Sequence, residues 1–202
     1  MAKRLIVLPV IAVVPLVAFL VATNMAGGET AQPVLDRVSN QGTDPPASLG
    51  ERDQLALERM QRPAAEVRLL GEHGPRAFYR VGSDCFGTGA TSVNEYRLDA
   101  VVCTPAFPSK ARPLLDMTVF KGSGEPYKRP TALSIWKSEG FAADGVASVG
   151  FKNSVGEIVG KTQVIGNTYS HSSIPAETLD ALVALDSSGE VVASVPVRHR
   201  VP

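Results

Sequence analysis

"VASVGFKNSVGEIVGKTQVI", residues 146–165, decides how the chain is to be read. Val146, Ser148 and Gly150 alternate with Ala147, Val149 and Phe151, the period-two pattern of a strand whose faces differ. Asn153 then offers a side chain that bonds local backbone amides, and Gly156 supplies the positive φ that a tight hairpin demands. A near copy, "LVALDSSGEVVASV" at 182–195, repeats the arrangement with Asp186 and Gly189. Two similarly built hairpins are therefore expected, with turn chemistry at their tips. Calcium loops are excluded there, because the alternating carboxylates such a loop supplies are missing.

Working outward, the same style of short apolar runs bounded by Gly, Pro, Asn, Asp or Ser extends over 66–202. Strands are expected at 66–70, 77–81, 95–103, 115–120, 132–136, 145–151, 157–165, 181–185 and 190–197. No run there resembles a crossover helix, which excludes a parallel sheet and leaves an antiparallel sandwich or barrel. The fold class is all-β, and "SIPAETLDA" at 173–181 is expected to form a helical turn between strands.

Upstream the composition changes twice. "SLGERDQLALERMQRP", 48–63, places Ser48 and Glu51 at capping-box spacing and stops at Pro63, so a short helix is expected within 48–62. Leu57 does not share a face with Leu55 and Met60. Residues 24–47 are rich in Gly, Pro, Ser, Thr, Asn and Gln, with few large apolar residues to offset ordering entropy, and read as a disordered stalk. Residues 1–23 open with Lys3 and Arg4 and then run uncharged from Leu5 to Thr23, the layout of a signal sequence or transmembrane anchor. Both fates remain open, and either exports everything after residue 24. An uncleaved leader gives a single-pass protein with its C-terminal domain extracytoplasmic; a cleaved one gives a secreted protein.

The two cysteines, Cys85 and Cys103, fall in the exported part and are expected to form a disulfide. Lys plus Arg and Asp plus Glu are both 20, so no net field draws the 202-residue chain to nucleic acid. Three histidines and a paired set of cysteines do not supply a zinc site. Glycine-rich "GTG" at 87–89 and "KGSGEP" at 121–126 open no expected helix and cradle no phosphate. No pattern calls for a cofactor. Asp99, Asp116, Glu95 and Asp144 are carboxylates that glycoside chemistry would have to pair in space.

The segment "EGFAADGVASVGFKNSVGEIVGKTQVIGNTYS" with "LVALDSSGEVVASVPV", Glu139 to Val197, resembles a C-terminal module of uncharacterised exported actinobacterial proteins. The shared features are the Ala-Asp-Gly-Val start, the Gly-Asn-x-aromatic step and the Ala-Leu-Asp-x-x-Gly hairpin. The resemblance implies an immunoglobulin-like antiparallel β-sandwich and carries no catalytic residue.

The functional expectation is a non-catalytic, membrane-anchored interaction or structural module of the cell envelope. Tyr169 and His171 in "GNTYSHSS", with Tyr127 and Arg129 in "EPYKRP", are the loop residues expected to contact an envelope protein or a cell-wall glycan. Membrane contact would run through residues 5–23. Two alternatives belong to other classes: a small exported hydrolase using His171 as its base, and an extracytoplasmic sensor acting through a membrane partner.

Overall fold

A computed structural model describes residues 34–44, 49–92, 95–122, 133–172 and 179–197. The leader 1–23, most of the helical turn expected at 173–181, and Ser48, Tyr127 and Arg129 lie outside the described residues. Among the described residues no helix is long and apolar enough to cross a membrane.

Over the described residues the domain is built from β-strands in antiparallel sheets, with one short α-helix and a 3-10 turn at Ala64–Glu66. Sheet I holds β1 (Val67–His73), β2 (Arg76–Val81) and β3 (Cys85–Ser92), with β4 (Glu95–Tyr96) and β5 (Ala100–Cys103) sharing the far side of β3. Sheet II runs β11 (Thr168–Ser172), β8 (Leu133–Ala142), and then β6 (Leu114–Asp116) with β7 (Val119–Gly122) along the other side of β8. Sheet III has the order β10 (Ile158–Gln163), β9 (Ser148–Asn153), β12 (Leu179–Leu185), β13 (Val191–Pro196).

Side-chain alternation stacks these sheets. On β2, Ala77, Tyr79 and Val81 face helix α1 (Glu51–Arg59) and join Leu57 and Val67 in one apolar cluster. Phe78, on the opposite face, meets Phe141 of β8 edge to face at 5.6 Å. Phe141 points from sheet II towards sheet I, while its neighbour Ala142 joins Leu114, Tyr169, Phe151 and Leu182 in the core shared with sheet III. Sheet-on-sheet packing of this kind buries period-two faces and makes a β-sandwich.

The paired hairpins appear as expected. Asn153 Oδ1 accepts the amides of Val155 and Glu157, and Asp186 Oδ1 accepts those of Ser188 and Glu190. Gly156 and Gly189 adopt φ of 93° and 86°. The first strands of the two hairpins pair antiparallel, with Gly150 opposite Val183, so the hairpins are related by a local twofold through that pair.

Four expectations are corrected. Residues 34–44 are not a stalk: Leu35 and Val38 are buried, and Thr43 bridges Leu69 of β1. Asp144 binds Arg37 Nε at 2.9 Å and the Ser39 amide at 3.0 Å, supplying long-range partners that composition does not reveal. The helix starts later than the capping-box spacing implies: its N-cap is Gly50, and Asp53 in its first turn accepts the Leu98 amide. "GTG" at 87–89, where no strand is expected, lies within strand β3, and "TYSHS", read as loop, is strand β11. Expected strands 95–103 and 115–120 are each broken in two, the second where Asp116 Oδ1 accepts the Thr118 amide at 3.1 Å.

Candidate functional site

Of the residues expected at a contact surface, Tyr169 is fully buried rather than exposed. On β11 it stands directly opposite Gly140 of β8, where a Cβ would come within 2.8 Å of its hydroxyl and 2.1 Å of Leu115 O. The missing side chain lets the ring cross the strand into the core. His171 is half-buried, stacked on Phe151 at 4.8 Å and 29°. Ser170 and Ser172 alternate with it on β11 and so point to the other face. No carboxylate is hydrogen-bonded to His171 among the described residues. A histidine base needs both its nucleophile and its orienting acid within hydrogen-bond reach. Cys85 and Cys103 form the expected disulfide, across a cross-strand pair of β3 and β5.

A cleft of about 580 Å³ opens elsewhere, between residues 104–118 and the end of β13. Phe107, Leu114 and Val195 give it apolar walls, Asp116 and Thr118 lie on one side, and Arg112 stands at the exposed rim. Among the described residues of the lining, Asp116 is the only acid and Arg112 the only base. The Asp116 carboxylate accepts hydrogen bonds from the Thr118 hydroxyl and amide and, at 3.4 Å, from the Tyr169 hydroxyl. Burial pushes its pKa above the ordinary carboxylate value, and bonds from Thr118, Tyr169 and Ser138 offset this only in part. Tyr169 is itself pushed well up, by burial and then by the Asp116 charge, so its hydroxyl remains a donor. No cation pairs with Asp116 among the described residues.

The opposite face of β8 carries a different polar group. Glu139, fully buried, accepts two bonds from Arg76, at 3.0 and 2.7 Å, and lies 3.1 Å from Lys137 Nζ. Arg76 also pairs with Asp99. These ion pairs fasten sheet I to sheet II, which is a structural use. Beside them His73 Nε2 lies 2.9 Å from Thr168 Oγ1, whose own proton goes to Ile165 O, so His73 is the donor. Among the described residues no group of three His, Cys, Asp or Glu could hold a metal.

Sequence reasoning named Asp116 only as one carboxylate among several and missed Arg112 and Glu139. The signal for Glu139 was present: Lys137 and Glu139 stand two apart on β8, so an acid and a base share one face of the strand. Comparison with known proteins adds nothing to these assignments, because no family model, curated protein or solved structure matches the chain.

Proposed function

We propose that this protein is an exported, non-catalytic interaction module of the cell envelope, tethered through residues 5–23, that binds its partner in the cleft beside Asp116. The sandwich is read as immunoglobulin-like, in keeping with the resemblance of residues 139–197 to exported actinobacterial modules. The observation that carries the reading is the lining: an open, largely apolar cleft with one carboxylate held by neutral donors. Apolar walls with a few placed polar groups are the usual composition of a recognition site. Export accords with the disulfide, which persists in an oxidising compartment.

The test is retention of the full-length chain on an envelope fraction containing wall sacculi and membrane proteins. Ala106→Trp, which fills the cleft with an indole, is expected to abolish retention while the disulfide and circular dichroism stay unchanged. Equal retention of the wild-type and filled proteins would overturn the reading.

A further inference from the structure

The cleft lies where the edges of two stacked sheets come together. Among the described residues β6 pairs only with β8, and β13 only with β12. Antiparallel pairing alternates residues that bond the neighbour with residues whose N–H and C=O turn away. The Val197 amide donates to Asp180 O, which places Val197 and Val195 on the bonded side of β13. Ser194 N–H, Ser194 C=O and Pro196 C=O therefore face outward. No strand pairs with that edge among the described residues. Pro196 is tolerated there because an outward N–H is the one a strand can lose.

An unpaired row of backbone donors and acceptors is a template for another strand. β13 has six residues, the ordinary length of a strand, so the template is long enough to hold one. Side chains of an added strand that lie on the same face as Val195 would enter the cleft, whose wall carries Asp116. That carboxylate has hydroxyl and amide partners but no counter-ion among the described residues, so charge complementarity selects a cation among the side chains that reach it.

We propose that the cleft receives an extended peptide, which adds as a strand to the free edge of β13 and sets a lysine or arginine side chain against Asp116. This inference rests on the cleft being the binding site and supplies the chemical class of the partner.

The experiment uses the full-length chain in mild detergent and a pool of capped heptapeptides, Thr-Val-Thr-X-Thr-Val-Thr, with all twenty residues at X. Peptides retained by the chain are expected to be enriched in Lys and Arg at X by about tenfold, the scale of one charge-assisted hydrogen bond. Asp116→Asn should remove that enrichment and keep uncharged peptides bound. Ser194→Pro, which deletes only an outward N–H, should lower retention of every peptide. Backbone N-methylation at alternate peptide residues should abolish retention without any change to the protein, which guards against a misfolded variant. Undiminished retention of N-methylated peptides, or no preference for basic residues, would overturn the proposal. So would a concentration-dependent dimer dissolved by Ser194→Pro, since the edge would then belong to a second copy of the chain. Envelope retention lost in Ala106→Trp without peptide selection sinks the peptide and leaves the cleft. Peptide selection without cleft-dependent envelope retention sinks the envelope role instead.

Discussion

Asp116 and Gly140 show how single positions set the site. Because burial raises the Asp116 pKa, its charge disfavours the folded state at neutral pH. The sign follows: a carboxyl whose folded pKa lies above its unfolded one weakens the fold as pH rises between the two values. That penalty is absent below the unfolded value of about 3.9. Asp116→Asn keeps an acceptor for Thr118 and Tyr169 without the charge. The variant is expected to melt higher than the wild type at pH 7, with the difference shrinking as the pH is lowered towards 4. A variant that melts lower at pH 7 would contradict the assignment. Gly140 is needed for close approach, since a methyl group would collide with Leu115 O and the Tyr169 ring. Gly140→Ala is expected to cost about 1–3 kcal/mol, read from the denaturant midpoint, as overpacking does.

At the scale of elements, the two hairpins of sheet III are held by the same local bonds. Gly156 and Gly189 both sit in the left-handed region, and neither contacts enough to forbid a methyl group: a Cβ on Gly189 would meet nothing within 4 Å. Any cost of substitution there is conformational. Gly156→Ala and Gly189→Ala are each expected to lose about 1 kcal/mol, and equally, in thermal or urea unfolding. A loss confined to one hairpin would show that the twofold likeness is not energetic. Helix α1 teaches the opposite lesson. Leu57 is buried and Leu55 and Met60 are exposed, so a helix that looked weakly amphipathic is anchored through one leucine and Asp53. Strand β3 could not be read locally. At Gly89 a Cβ would fall 1.5 Å from Arg97 O, so its glycines admit a crossing chain rather than a flexible turn.

Over the whole molecule, two long-range ties are open to measurement. The Cys85–Cys103 bridge closes a separation of 18 residues. Cys85→Ser with Cys103→Ser is expected to lower stability by about 3 kcal/mol in the chain-entropy account. An unchanged unfolding midpoint would mean that β3–β5 pairing already restrains the unfolded chain. The second tie is Asp144, which straps residues 34–44 to the β8–β9 corner. Burial works against its ionised form, but bonds from Ser39, Asn167 and Arg37 prevail and hold its pKa below the ordinary value. Its stabilisation is therefore present above that ordinary value and lost as pH falls through the folded one. Protection of the amides at 35–43, read as exchange relative to the intrinsic rate at each pH, is expected to fall below about pH 4. Protection in that segment independent of acid would remove Asp144 as the strap.

The amino-acid order by itself determined the β-class, the two hairpins with their Asn153–Gly156 and Asp186–Gly189 turns, and the pairing of the only two cysteines. The first two rest on side-chain period and on bonds between residues two to four apart, which local sequence states directly, and the third on there being two cysteines in all. Tertiary structure alone decided that Tyr169 is core, that residues 34–44 pack, and that β3 and β11 are strands. It also decided that Asp116 faces a cleft beside the free edge of β13. Each of those depends on a partner outside its own stretch of sequence, eight residues away for Gly89 and Arg97 and dozens for the rest: Gly140 for Tyr169, Asp144 for Ser39, Ser194 for the cleft. Pairing at that distance is selected by how whole sheets bury their faces, and no stretch of sequence read alone contains it.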